Sequence, residues 1–240
     1  MESPELIPGV EPYYHDAEYG QAIYLGDCRE LLPLIPDGAV DLVLTDIPYG
    51  KVNRPSAGLR DWDKGSADVV TFSCNWLGRQ AGRIASGSVY VFCGTEQVSA
   101  LRARFVRLGM TTRLGVWEKT NADPANGQHF WLSSIECCVF ARHSKATFNG
   151  RCRSPVWRGC AAYPKFHTTT KPLWLFDRLV QASSDTGDLV CDPCMGSGTT
   201  LVAAKRHGCK GIGIELEERY CEIAAKRLQQ GVFKFAPPTE

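Results

Sequence analysis

The sequence predicts an α/β fold built on an open, mostly parallel sheet with helices on both faces. Three observations lead there. Short apolar runs of strand length alternate with longer segments of helical period along most of the chain. At 240 residues and 44% hydrophobic content, the chain can bury one sizeable core, and its 22% charged residues are ordinary for a globular domain. Two of the apolar runs lead directly into chemically loaded sequences, and ligands of such sheets sit beyond the carboxyl ends of the strands.

Residues 22–25 make a short apolar strand closed by Gly26 and Asp27, and 29–34 suit one or two helical turns. Residues 41–45 form a buried strand that runs into Asp46-Ile47-Pro48-Tyr49. The stretch 50–68 carries Gly, Pro, Ser and charge and reads as a long loop, a feature that is commonly functional in a compact domain. Helical period covers about 69–85, followed by a strand at 88–93, a helix at 96–108 and a strand at 111–118. After a polar stretch at 119–133, a strand spans 135–141, and 142–170 shows little periodicity. The chain then returns to helix at 172–182, strand at 189–192, helix at 199–207, strand at 211–215 and helix at 217–230. A single domain over 1–240 is expected, with 142–170 inserted within it and a tail at 231–240.

The formal net charge is +1, from 27 basic and 26 acidic residues, which excludes a polycationic arm but leaves room for a local basic face. No apolar run reaches the roughly 18 residues of a membrane span. The opening Met-Glu-Ser-Pro-Glu lacks the basic and apolar parts of a signal peptide, so the expected compartment is the cytoplasm. Eleven cysteines, an odd number scattered over a chain of this length, fit free thiols in a reducing compartment. Cys191 and Cys194 form a C-x-x-C with no second pair at metal spacing, so no metal site is expected.

Asp192-Pro193-Cys194-Met195-Gly196-Ser197-Gly198-Thr199-Thr200 leads from a strand into a helix. Its glycines let the backbone approach a ligand, and the helix start offers unpaired N–H groups. The lysine of a P-loop and the three-glycine dinucleotide pattern are both missing. Glu215 ends the next strand, where an acid suits ribose hydroxyls, while Asp192 disfavours a pyrophosphate and favours a cationic group. A ribose beside a sulfonium describes S-adenosylmethionine; taken alone, the pattern also fits an ordinary strand-to-helix turn. The Asp46-Ile47-Pro48-Tyr49 loop suits methylation of an exocyclic amine. The lone pair of such an amine is delocalised into its ring. A carboxylate accepting its N–H returns electron density to nitrogen, a backbone carbonyl takes the second N–H, proline stiffens the loop and tyrosine stacks on the base. By itself this loop also reads as a capped turn with a packing tyrosine.

Together the two loops resemble those of the DNA amino-methyltransferases that act on adenine N6 or cytosine N4, in the permuted group whose catalytic loop precedes the cofactor loop. The resemblance runs over roughly residues 21–230. His167-Thr168-Thr169-Thr170-Lys171-Pro172 is similar to the family's H-P-T-Q-K-P, and Asp192 through Thr200 to its D-P-F-x-G-S-G-T-T. Gly211 to Glu215, the helix with Tyr220 and Ala224, Gly26-Asp27-Cys28, and Trp117, Lys119, Asn121 and Pro124 also fit. The resemblance implies a Rossmann-like S-adenosylmethionine-dependent methyltransferase fold in permuted order. It implies that Asp46, Ile47, Pro48 and Tyr49 act on a flipped base, adenine before cytosine because the loop opens with aspartate. It implies a cofactor site of Asp27 and Cys28 toward the adenine, Thr168 and Lys171 toward the methionine, Asp192, Cys194, Gly196, Ser197, Gly198, Thr199 and Thr200 along the loop, and Glu215 on the ribose. Two positions depart from the family pattern: Ile47 replaces a proline, and so does Thr168.

Residues 137–176 contain no Asp or Glu and hold seven basic residues, with Phe148, Trp157, Tyr163 and Phe166 interleaved. Such a stretch suits phosphate contact with base stacking, and Arg151, Arg153, Arg158 and Lys165 are the expected DNA contacts. The 50–68 loop is a second candidate. DNA is the expected partner, a membrane is not, and a homodimer stays open.

Overall fold

The structure, a computed structural model, describes residues 6–49, 73–122, 131–151, 153–162 and 170–230. Nine strands of the described residues make one sheet: β1 (Tyr14–Asp16), β2 (Gln21–Leu25), β3 (Val40–Asp46), β4 (Ala85–Cys93), β5 (Thr111–Lys119), β6 (Ile135–Arg142), β7 (Val156–Gly159), β8 (Leu189–Asp192) and β9 (Lys210–Glu215). Their order across the sheet is β1-β2-β9-β8-β3-β4-β6-β5-β7. The pairs from β2 to β4 are all parallel. Strand β6 runs antiparallel to β4 and β5, β7 lies parallel to β5, and β1 lies antiparallel to β2. Only β1 and β6 therefore oppose the common direction. One edge of the sheet collects the carboxyl ends of β2, β9, β8, β3, β4 and β5 together with the amino end of β6.

Strands buried on both faces need apolar residues at consecutive positions, and β3 has them. Its Val43 belongs to the core beneath helices α2 (Cys74–Ile84) and α3 (Val98–Arg107), with Leu77, Ala81, Leu101 and Phe105. Its Leu42 and Leu44 belong to the core beneath α4 (Leu173–Ser183) and α5 (Thr199–Arg206), with Leu175, Leu179, Ala203 and Ala204. The last helix, α6 (Glu218–Gln229), packs Cys221, Ala224 and Leu228 against Ile23 and Leu201. The short α1 (Cys28–Leu31) and a 3-10 turn at Leu32–Leu34 follow β2. No helix among the described residues is long and apolar enough to cross a membrane.

The predicted alternation holds, with element ends moved by a few residues. Two edge strands go beyond it. Strand β1 is three residues of Tyr-His-Asp with a single neighbour, so neither length nor apolar pattern announces it. Strand β7 lies inside 142–170, which the sequence predicts to be irregular; it spans four residues and pairs only with β5. Its alternation is exposed-buried-exposed, and the buried side chain is Trp157. That corrects the expected stacking role of Trp157: the ring is core, lying 6.3 Å from Phe92. The neighbouring strand makes room for it, because a Cβ at Gly115 would stand 2.4 Å from the ring.

Gly115→Ala should therefore destabilise the protein by overpacking, by roughly 1–3 kcal/mol. Urea unfolding of the variant is expected to show a lower midpoint, and an unchanged midpoint would contradict the close approach of β5 and Trp157.

Candidate active site

Strand β3 delivers Asp46 to the collecting edge. The next residue, Ile47, is buried in the core, and its N–H donates to the Phe92 carbonyl at 3.1 Å. A proline there has no N–H to give. Isoleucine fixes by a ladder bond to β4 what a ring would fix through φ. The Pro48 carbonyl accepts from Gln97 Nε2 at 3.1 Å, tying the loop to the start of α3. Tyr49 Oη donates to Glu136 Oε2 at 3.0 Å. Asp46 binds the Lys171 ammonium through Oδ2, while its Oδ1 is buried with no hydrogen-bond partner.

Lys171 stands just before α4, its side chain only 6% exposed, and also reaches Glu136 Oε2 at 2.9 Å. Glu136 Oε1 takes a second ammonium, Lys119 Nζ, at 2.5 Å. The result is a quartet of two carboxylates and two ammoniums, with Lys171 buried and the other three partly exposed. Burial raises the Asp46 carboxyl above its usual range, although Lys171 opposes the shift. Burial would raise Glu136 too, but Lys171 and Lys119 outweigh it and hold that carboxyl well below the usual range. Burial works against the charge of Lys171, and Asp46 and Glu136 overcome it, so the ammonium persists. The family resemblance puts Lys171 toward the methionine end of a cofactor; its ammonium lies between the two acids. Glu136 is absent from the sequence-derived site. The available signal is an acid at the second position of a strand that is apolar from there to its closing Arg142, immediately before the acid-free stretch.

The glycine loop joins β8 to α5. Gly196 and Gly198 have φ of 53° and 81°, a region that favours glycine. The Met195 N–H donates to the Ile214 carbonyl at 3.0 Å, holding the loop on β9. The sequence points Asp192 at a cationic ligand. In the structure it is 2% exposed and braces the loop, accepting from the Cys194 N–H at 3.0 Å and from Thr200 Oγ1 at 2.5 Å. Ser197 Oγ and Thr199 Oγ1 accept from Arg227 of α6 at 3.1 and 3.2 Å. Glu215 accepts the Gly196 N–H at 2.8 Å and the Glu217 N–H at 2.9 Å, one on each oxygen. A Cβ added at Gly196 would meet nothing within 4 Å, so the loop opens onto free space beside Glu215. Asp27 caps α1 through the Arg29 N–H at 2.8 Å, and its neighbour Gly26 donates to the Glu215 carbonyl at 2.9 Å. Two carboxylates thus stand at adjacent strand ends. The neighbouring Cys28 thiol and burial push the Cys194 thiol well above its usual range.

Of the expected DNA contacts, Arg151, Arg153 and Arg158 are exposed. Arg158 pairs with Glu118 of β5 at 2.9 Å, an acid that the acid-free stretch does not reveal. Phe148 is 41% exposed, with the Arg142 guanidinium 5.7 Å from its ring centre. Lys165, Thr168, Tyr163, Phe166, Pro124, the 50–68 loop and the tail lie outside the described residues.

Burial pushes the Asp192 carboxyl from 3.8 up to about 7. The folded state then binds a proton that the unfolded chain has released, so this group's contribution is complete below pH 4 and is lost as pH rises toward 7. The loss can reach roughly 4 kcal/mol. Thermal unfolding from pH 4 to 8 should show wild type losing stability relative to Asp192→Asn across that window. Parallel curves would contradict the assignment.

A family model described as DNA methylase, covering N6 and N4 methyltransferases, matches residues 117–226, a span that includes Lys119, Glu136, Lys171 and the glycine loop. The chain is 28% identical over 255 residues to the type II methyltransferase M2.LlaDCHI of Lactococcus lactis subsp. cremoris, across 92% of this chain and 93% of that protein. It is 30% identical over 250 residues to the type II methyltransferase M.HinfI of Haemophilus influenzae, across 89% of this chain and 69% of that protein. Among solved structures, the M1.HpyAVI complex with S-adenosylmethionine is similar with a TM-score of 0.66 at 25% identity, covering 86% of this chain and 99% of that one. With Asp46 beside the glycine loop on one sheet edge and these relatives matching along nearly its whole length, the chain belongs to the N6/N4 DNA methylase family.

Proposed function

We propose that this protein transfers the methyl group of S-adenosylmethionine to the N6 amine of an adenine flipped out of duplex DNA. Asp46 carries the assignment: a carboxylate with one oxygen held by Lys171 and the other buried and unpartnered, at the strand edge shared with the glycine loop. The residues present fit the cofactor. Glu215 and Asp27 are carboxylates at adjacent strand ends, suited to ribose hydroxyls and the adenine end, and Gly196 leaves open space beside them. Bound there, the cofactor supplies an electrophilic methyl on a sulfonium.

This chain's own groups prepare the nucleophile. Asp46 Oδ1 accepts one amine N–H and draws electron density onto nitrogen. The Ile47 carbonyl takes the other N–H. An amine inside a paired duplex is out of reach, so the base must leave the stack at a cost of a few kcal/mol. Stacking on Tyr49 returns roughly 1–3 kcal/mol. The ring is held for this by its hydroxyl bond to Glu136. Aspartate at the head of the loop supports adenine over cytosine.

Methylation of a random-sequence duplex with labelled cofactor, followed by nucleoside analysis, tests the assignment. N6-methyladenine is expected; N4-methylcytosine would move the base assignment, and unlabelled DNA would overturn the function. Asp46→Ala should cut turnover by at least about 100-fold with cofactor affinity nearly intact. Glu215→Ala should instead weaken cofactor binding, by on the order of 1.5–3 kcal/mol in calorimetry. Unchanged affinity would remove Glu215 from the site. Neutralising Arg151, Arg153 and Arg158 together should flatten the salt dependence of DNA binding, by about 0.9 in slope for each phosphate left without its cation. An unchanged slope would place DNA elsewhere.

A further inference from the structure

Glu136 is the hub of the quartet around buried Lys171, and no part of the proposed chemistry requires it to touch substrate or cofactor. We infer that Glu136 is a positioning residue for methyl transfer: it shares the Lys171 charge with Asp46 and fixes the Tyr49 hydroxyl, so that Asp46 keeps one oxygen free and electron-rich for the substrate amine. This role rests on the methyl-transfer reading above.

The topology brings Glu136 there. It is the second residue of β6, the strand reversed between β4 and β5, and it lies opposite Trp117 of β5. Because β6 runs backward, its start lies on the edge where β3 and β5 end. Strand β4 separates β3 from β6, and the register sets Asp46 level with Cys138, so Glu136 stands two strand spacings across and two residues along from Asp46, about 12 Å between backbones. Lys171 and Tyr49 close that gap. Lys171 reaches Asp46 Oδ2 and Glu136 Oε2, and Tyr49 Oη donates to the same Oε2 at 3.0 Å. Lys119 occupies Oε1 at 2.5 Å. Both oxygens of Glu136 are engaged, whereas Asp46 keeps one unpartnered.

The charges of the quartet balance. With Glu136 neutral, Lys171 would turn wholly toward Asp46, and the Lys119 charge held beside Glu136 would go unbalanced. A carboxylate so crowded by positive charge ionises more readily and is a weaker acceptor for an amine. Four other groups act on Asp46: Tyr49 of its own loop, Cys93 of β4, Cys138 of β6 and Asp192 of β8. Burial raises the tyrosine and both thiols, which keeps them neutral near pH 7. Lys171 and Glu136 therefore dominate the local field, with Asp192 adding to it as it ionises. A quartet of this kind is poor evidence for stability, since buried ion pairs often gain nothing over apolar packing. Its arrangement around a single free oxygen fits a functional role better.

Single-turnover methyl transfer from pH 4 to 9, with the full chain, S-adenosylmethionine and duplex DNA, tests the inference in wild type, Glu136→Gln and Lys119→Gln/Glu136→Gln. In Glu136→Gln the acid limb should move down by about one unit and the plateau fall at least about tenfold, with cofactor affinity unchanged. The double variant restores the balance of one ammonium to one carboxylate between Lys171 and Asp46, and should bring the limb back toward wild type. A single variant with a wild-type limb and plateau would overturn the role. So would a double variant whose limb stays displaced, or loss of cofactor binding in both variants, which would make Glu136 structural. Wild type that transfers no methyl group to DNA would defeat the methyl-transfer reading itself, whereas active wild type with an indifferent Glu136→Gln defeats this inference alone.

Discussion

The Lys171 ammonium, buried between Asp46 and Glu136, is the constraint around which the site is organised. A charge withdrawn from water needs opposite charge and hydrogen bonds around it. Here the partners come from β3 and β6, which lie on either side of β4, so the lysine is satisfied only if those three strands keep their order and β6 keeps its reversed direction. The same contact holds the Asp46–Tyr49 loop. Asp46 is fixed through Oδ2, Ile47 through its bond to Phe92, Pro48 through Gln97 and Tyr49 through Glu136. What is left unsatisfied is one carboxylate oxygen, and that oxygen is where the chemistry is assigned.

The cofactor side is tied into the same framework. Asp192 braces the glycine loop through Thr200, and Thr200 Oγ1 also lies 3.4 Å from the Leu44 carbonyl, two residues before Asp46. The glycine loop and the strand that carries Asp46 are thus linked through one buried hydroxyl. Parallel pairing of β8 with both β3 and β9 makes this possible, since it brings Asp46 and Glu215 to the same level on one edge with Asp192 two residues behind them. A ligand seated across that edge meets groups separated by about 170 residues of chain, from Asp46 to Glu215.

Much of the site was readable in the sequence because it is local. The Asp46–Tyr49 loop and the run from Asp192 to Thr200 each lie in consecutive residues after an apolar strand; either alone also fits an ordinary turn, and the two together point to a ligand. Glu136 and its bond to Lys119 were not readable, because they depend on sheet order: residues 46, 119, 136 and 171 meet only after β6 has been inserted backward between β4 and β5. The direction of Asp192 was hidden because its partner Thr200, the second residue of α5, is turned inward by the helix start. Strands β1 and β7 were missed because three or four residues with one neighbour leave almost no periodic trace. Trp157, among basic residues, looked like a stacking platform; its ring lies over Gly115 of β5 and belongs to the core.

The most direct test of this account is a crystal structure of the protein with an unreactive cofactor analogue and a duplex carrying its target adenine. The adenine should lie outside the helix with its N6 about 3 Å from Asp46 Oδ1, its plane against Tyr49, and Lys171 still shared between Asp46 and Glu136. An adenine left stacked in the duplex, or an amine bound to another group while Asp46 Oδ1 stays unpartnered, would contradict it.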